Sequence, residues 1–232
     1  MKTTHIGSLP YKSIRQAVDF NLGLSLPALP MIPRLFEDEW MINQFSSGFM
    51  NADHELSFSC FDEFFKNFQG KVKVQVCGIL TLFNNAPKKN ISLTEYTDWY
   101  LLVLKRFLAK IPTDYILFFD EPDLRNFNKS LWDCYSGLTG IELGLHCCAS
   151  LKWSALDLSS FNHISFDQSL MSKEDLSYLN GLNKTLYYGV YDTHTGESLG
   201  TVGEDQFLSP KCGLALSTDD VTETIRLKLS SN

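Results

Sequence analysis

The stretch Gly140-Ile141-Glu142-Leu143-Gly144-Leu145-His146-Cys147-Cys148 suggests both a buried strand and a metal site. Its apolar part predicts a β-strand, in which successive side chains point to opposite faces. His146 and Cys148 therefore leave the same face, whereas Cys147 points the other way and packs. Imidazole and thiolate together suit a soft four-coordinate ion, and zinc is the usual one.

Two ligands do not complete a zinc site, so other ligands must come from elsewhere in the chain. Cys212, in Pro210-Lys211-Cys212-Gly213-Leu214, is the best third ligand, and Asp167 is the best fourth. The alternative is plain packing, because free cysteine often behaves as a small buried hydrophobe. Structural zinc sites usually draw their ligands from short loops. Ligands spread over several strand ends indicate catalysis instead.

The composition is that of an ordinary globular protein. The chain has 232 residues, of which 44% are hydrophobic and 20% charged, and its formal net charge is −7. It contains no basic run that could follow a phosphate backbone, which argues against a nucleic-acid partner. No apolar stretch reaches the roughly 20 residues that span a bilayer, and no apolar segment follows Lys2 as in a signal peptide. We expect a cytoplasmic protein with no membrane partner, whose six cysteines stay reduced.

Short apolar runs alternate with helical patterns along the whole chain. The predicted strands are 4–8, 27–32, 71–79, 114–120, 140–148, 163–167, 185–192 and 207–216. The predicted helices are 13–22, 37–45, 61–68, 92–110, 151–158, 173–179 and 219–229. This alternation favours a parallel sheet. Eight strands predict an α/β protein with a compact (β/α)8 TIM barrel in a single domain over residues 1–232, and an open doubly wound sheet is the alternative.

A barrel carries its active site at the carboxyl ends of its strands. Polar, chemically capable side chains occur repeatedly at those predicted ends: Ser8, Asp120, Glu121, His146, Cys148, Asp167, Asp192, His194 and Cys212.

Two of these groups allow two interpretations each, and a third has one. The Asp120-Glu121 pair could cap the next helix, or Asp120 could bind a substrate ammonium. Asp192 could orient the imidazole of His194 as a proton donor, or His194 could be a surface-loop residue. The Gly-Ser turn at Ser8 could bind an anion through its backbone and hydroxyl, a weak signal by itself.

Five motifs, taken in order, resemble those of the catalytic C-terminal half of cobalamin-independent methionine synthase. This family belongs to the barrel group that includes uroporphyrinogen decarboxylase-like proteins. The motifs are Thr4-His5-Ile6-Gly7-Ser8-Leu9-Pro10, Phe119-Asp120-Glu121-Pro122-Asp123-Leu124, His146-Cys147-Cys148, Gly189-Val190-Tyr191-Asp192-Thr193-His194 and Pro210-Lys211-Cys212-Gly213-Leu214.

The resemblance implies a zinc-dependent methyltransferase of methionine biosynthesis, with Zn²⁺ as cofactor. Its acceptor would be a small-molecule thiol such as homocysteine, and its donor a methylfolate or a methylated corrinoid protein. The implied zinc ligands are His146, Cys148, Asp167 and Cys212. The implied substrate-binding residues are Ile6, Ser8 and Asp120, and the implied acid pair is Asp192 with His194.

The chain departs from the family pattern in ways that leave a second hypothesis open. The family has Glu where Asp167 stands, and its second contact to the substrate amine has no clear counterpart, although Glu37 or Glu39 could replace it. The chain is also short for the catalytic barrel. The alternative is a catalytically degenerate barrel that binds zinc or a thiol as a binding module or subunit. Decarboxylation of a tetrapyrrole is disfavoured, because no arginine-rich loop is present.

Overall fold

The computed structural model describes residues 1–85, 91–124, 127–200, 202–203 and 206–231. Seven parallel strands form one curled sheet in the order β1-β7-β6-β5-β4-β3-β2. The strands are β1 (Lys2–Thr3), β2 (Val72–Cys77), β3 (Tyr115–Asp120), β4 (Glu142–Cys147), β5 (His163–Asp167), β6 (Thr185–Tyr191) and β7 (Phe207–Pro210). The α/β class and the parallel sheet are confirmed.

Helices alternate with these strands. They are α1 (Ile14–Leu22), α2 (Asn43–Ser46), α3 (Phe61–Asn67), α4 (Ile79–Asn85), α5 (Leu93–Leu108), α6 (Lys129–Trp132), α7 (Lys173–Asn180) and α8 (Asp219–Ser230). The longest, α5, begins at the capping box that Ser92 and Glu95 form. Its apolar stripe, which includes Tyr100 and Leu104, is buried as predicted. None of the helices in the described part of the chain is long and apolar enough to cross a membrane.

The sheet is compatible with a TIM-like barrel, but it does not close into an eight-stranded one. The predicted strand 27–32 is reduced to two isolated parallel bridges, from Ala28 to Lys73 and from Met31 to Ser8. Pro27 and Pro30 carry no N–H group, so a regular ladder cannot form along this segment. We call the segment 27–32 the seam, because it lies between the two edge strands β1 and β2.

Two other predicted strands are shorter than expected. The first predicted strand, 4–8, is wrong, because β1 covers Lys2–Thr3. Gly7 has φ +112°, a conformation that a β-strand does not use. The last predicted strand, 207–216, ends at Pro210, and its second half turns back so that the Leu214 amide donates to the Ser8 carbonyl.

Helix α4 was missed, since the predicted strand 71–79 runs into it. Its first turn is held by the buried carboxylate of Glu121, which accepts from the amides of Leu80 (3.0 Å) and Thr81 (2.7 Å). A carboxylate at a helix N-terminus stabilises that end. Glu121 follows β3, so no local pattern around residue 79 predicts this start. Helix α6 was also missed. The predicted helix 37–45 is a 3₁₀ turn at Glu37–Glu39 followed by the short helix α2, and within the predicted helix 151–158 the structure has a 3₁₀ turn at Trp153–Ala155.

Apolar side chains pack on both faces of the sheet. Inside the curl lie Leu26, Ile116, Phe118 and Tyr187, and a larger cluster fills the space between the sheet and the helices. Because the strands are parallel, their carboxyl ends all lie at the same end of the sheet, and the candidate site lies there.

Candidate metal centre and adjoining cavity

His146 lies next to the last residue of β4 and is fully buried. Ser165 is its register partner on β5, and the Ser165 hydroxyl lies 2.9 Å from His146 Nδ1. With Nδ1 donating to this oxygen, Nε2 presents its lone pair. Nε2 has no hydrogen-bond partner among the described residues. An oriented imidazole with a free buried nitrogen is what a metal ligand requires.

Two cysteine sulfurs converge on this imidazole. Cys148 follows β4 and Cys212 follows β7, and their sulfurs lie 3.5 Å apart. One ligand atom from each of His146, Cys148 and Cys212 lies within 4.8 Å of the other two. The hydrogen bond between the thiols lowers the pKa of Cys212 well below its usual range and raises that of Cys148. One nitrogen and two sulfurs, with one sulfur favoured as thiolate, fit zinc.

Asp167, the predicted fourth ligand, is not a member of this three-residue group. Its carboxylate Oδ1 accepts from the amide and hydroxyl of Ser169, at 2.8 and 2.6 Å, and so caps the turn after β5. Its role as a ligand stays a prediction.

A cavity of about 260 Å³ adjoins the metal centre. The predicted substrate-binding residues Ile6, Ser8 and Asp120 all line it, together with Cys212. Apolar side chains supply much of the remaining wall: Met31, Trp40, Met41, Val76 and Leu216. Gly213 lets this wall close, because an added Cβ there would lie 2.1 Å from the Ser8 hydroxyl. The structure therefore brings together groups from sequence positions more than 200 residues apart.

The two adjacent carboxylates, Asp120 and Glu121, have different surroundings. Glu121 caps α4, as described above, whereas Asp120 lines the cavity. Asp120 Oδ1 lies 4.0 Å from His146 Nε2, and Oδ2 accepts from Gln75 Nε2 at 3.2 Å. Burial raises the pKa of Asp120 to about 6. Asp120 is therefore the carboxylate that a ligand in the cavity can reach. Glu121 caps α4, which precedes the pair in the chain, and not the next helix as predicted.

Asp192 and His194 are neighbours, but Asp192 uses its carboxylate for other partners. Its Oδ2 binds Lys211 Nζ at 2.6 Å, and its Oδ1 accepts from the amides of His194 and Thr195. The hydrogen bond from Lys211 holds the pKa of Asp192 well below its usual range. The His194 side chain is exposed. The acid role of this pair stays a prediction.

Sequence reasoning missed two residues of the site. Ser165 carries no local signal, because its role follows from the register of β4 against β5. Gln75 did have a signal, since β2 alternates Lys73 and Gln75 with three valines, and alternate residues share a face.

The fold and site define a class: an α/β protein with a curled parallel sheet and a candidate His/Cys metal centre at the carboxyl edge. Among solved structures, the chain is similar to a Listeria monocytogenes protein assigned as a vitamin-B12-independent methionine synthase. The TM-score is 0.58, the identity 14%, and the match covers 98% of this chain and 96% of that chain. The fold is therefore methionine synthase-like. No protein-family model matches the chain, and no curated protein matches it either.

Proposed function

We propose that the chain is a zinc-dependent methyltransferase that methylates a small thiol, with homocysteine as the first candidate. The observation that carries this proposal is the convergence of His146, Cys148 and Cys212 beside a cavity with Asp120 in its wall. The fold similarity supports it as well.

The residues divide the work by position. His146, Cys148 and Cys212 would hold the metal, and Ser165 fixes the imidazole that faces it. Zinc bound there supplies a Lewis acid, which lets the acceptor thiol bind as a thiolate at neutral pH. The apolar wall excludes water from the thiolate, and Ile6, Ser8 and Asp120 hold the rest of the acceptor.

The reaction forms one bond and breaks one. The thiolate sulfur attacks the methyl carbon in line, the S–C bond forms, and the bond from methyl to the donor breaks with its electron pair. The donor is a methylfolate nitrogen or a corrinoid cobalt. A folate nitrogen takes up a proton as it leaves, and His194 is the residue proposed to give it.

Zinc content tests the metal centre directly. We expect about one zinc per chain in the wild type and little in Cys148→Ser or Cys212→Ser, because each change removes a soft ligand. Cys147→Ser is the matched control, since this buried cysteine bonds to the Ala149 carbonyl outside the group. Elemental analysis of the four proteins, purified under reducing and zinc-replete conditions, gives the answer. Absence of zinc from the wild-type protein would refute the proposal of a zinc-dependent methyltransferase.

Methyl transfer is then measured by the appearance of methionine from homocysteine, with methylcobalamin or 5-methyltetrahydrofolate as donor. A second function, a zinc- or thiol-binding module without turnover, is favoured by one observation. Lys211 occupies the Asp192 carboxylate that would otherwise orient His194. Stoichiometric zinc and thiol binding without product from either donor would support the module over the enzyme.

A further inference from the structure

Gln75 contributes an unpaired polar atom to the cavity wall. The residue lies on β2, is 3% exposed and lines the cavity beside Asp120. Its Oε1 has no hydrogen-bond partner among the described residues, and neither does Asp120 Oδ1. A buried acceptor left unpaired costs free energy. Two such acceptors on neighbouring strands of one cavity indicate that a donor from a ligand completes them.

The orientation of the Gln75 amide follows from chemistry. The group that faces Asp120 Oδ2 at 3.2 Å must donate, because an ionised carboxylate has acceptors alone. Nε2 is thus directed at Asp120, and Oε1 is the atom left free. This contact also fixes the Asp120 carboxylate, so that Oδ1 is its open oxygen.

Two other polar side chains in the wall, Glu39 and Gln44, are already engaged. Both carboxylate oxygens of Glu39 accept backbone amides, from Ile32 and Ser59. Gln44 accepts from the Cys77 amide and donates to the Met31 sulfur. Glu39 therefore does not serve as the second amine contact suggested above, and Glu37 is exposed outside the cavity lining.

The charge of the cavity lining also favours a ligand that donates hydrogen bonds. Its described lining contains two carboxylates, Glu39 and Asp120, and no lysine or arginine. The nearest buried cation described, Lys73, donates to the His5 carbonyl and lies 4.3 Å from the centre of the Phe118 ring, outside the lining. A ligand that brings hydrogen-bond donors and positive charge suits this wall better than an anionic one.

We propose that Gln75 Oε1 and Asp120 Oδ1 together bind the primary ammonium of the acceptor, so that Gln75 selects aminothiols over thiols without an amine. The inference rests on the proposed function for the identity of the acceptor as a thiol. Beyond the proposed function, the inference assigns a ligand contact to Gln75 and makes Gln75 responsible for the preference for aminothiols.

The test compares two thiols that differ by the amine alone: homocysteine and 4-mercaptobutanoate. Calorimetric titration of the zinc-loaded protein gives the dissociation constant of each. We expect the wild type to bind homocysteine at least about tenfold more tightly, since hydrogen bonds to charged groups are worth about 1.5–3 kcal/mol. In Gln75→Met this ratio should fall several-fold, with little change for 4-mercaptobutanoate.

Gln75→Glu keeps an oxygen at the position of Oε1, and because two facing carboxylates share a proton, it also keeps a hydrogen bond to Asp120. If an oxygen at this position contacts the ammonium, this variant should retain the selectivity that Gln75→Met loses. Gln16→Met is the matched control, because Gln16 is exposed on α1 and the ratio should not change. Zinc content and thermal unfolding of each variant establish that the metal and fold persist.

Equal ratios in wild type and Gln75→Met would overturn the proposal, as would equal binding of both thiols by the wild type. Loss of selectivity in Gln75→Glu would overturn the direct contact. These results differ from failure of the enzyme proposal, which shows as absent zinc or absent product.

Discussion

At the residue scale, the site joins polar groups that are each supported by a neighbour from another strand. His146 depends on Ser165, and Asp120 depends on Gln75. Both pairs are formed between neighbouring strands, so the register of those strands sets the distance between the two side chains. The sequence could predict His146, Cys148 and Cys212 as chemically capable, because their types and spacing are local. The contacts of the supporting residues Ser165 and Gln75 could not be predicted in this way, because they depend on how the strands pair in the folded sheet.

Lys73 gives a residue-scale prediction on pH. Burial lowers the pKa of its ammonium to about 7, from an ordinary value of 10.5. The folded protein therefore loses this proton near pH 7, whereas the unfolded chain keeps it until about pH 10.5. In that window the unfolded state binds more protons, so the Lys73 contribution makes the protein more stable as pH rises.

We expect the wild type to gain about 2 kcal/mol of unfolding free energy relative to Lys73→Met between pH 7 and pH 9. Urea unfolding at several pH values measures this difference. Lys71→Met is the control, since Lys71 is partly exposed and pairs with Glu142 at the surface. A flat difference across this range would show that the buried ammonium does not titrate there.

At the element scale, local patterns predicted the elements whose ends are local. The predicted strand 163–167 and the stripe of α5 are confirmed because alternation and capping lie within the segment. Helix α4 was missed because its cap, Glu121, is 42 residues after its first residue. Its first residue, Ile79, was also predicted as the end of the strand 71–79.

Glu121 gives the element-scale prediction. Its carboxylate accepts from Leu80 and Thr81 and from the Tyr135 hydroxyl, and it is fully buried. Glu121→Ala leaves these donors unpaired, so we expect a loss of about 3 kcal/mol or more of unfolding free energy. Chemical denaturation measures it.

Glu174→Ala, at an exposed site in the first turn of α7, should change stability by about 0.5 kcal/mol or less. The Glu121 carboxylate also leaves no room for a side chain at Gly78, which lies between β2 and α4. An added Cβ there would lie 2.2 Å from the Glu121 carboxyl carbon. A loss at Glu121 no larger than at Glu174 would mean that α4 does not depend on this cap.

At the scale of the whole molecule, the candidate metal ligands come from distant parts of the chain. Cys148 and Cys212 are separated by 64 positions, and they follow β4 and β7, which are not adjacent in the sheet. A metal held by both therefore stabilises the folded state by mass action, since the unfolded chain does not hold the two together.

We expect zinc at 100 times its dissociation constant to add about 2.7 kcal/mol, which raises the melting temperature by roughly 5–10 °C for a chain of this length. Thermal unfolding with zinc and with a chelator measures the shift, and Cys212→Ser should abolish it. Equal shifts in wild type and Cys212→Ser would place the bound metal elsewhere.

The seam has a consequence for how a ligand enters. Residues 27–32 are held by isolated bridges instead of a ladder, and Met31 of this segment lines the cavity beside the Ile6–Ser8 turn. Few backbone hydrogen bonds must break for this wall to separate, so its local opening costs less free energy than opening between β3 and β4. The cavity thus has its weakest wall beside Ile6 and Ser8, and we expect a ligand to enter where the two prolines prevent a regular ladder.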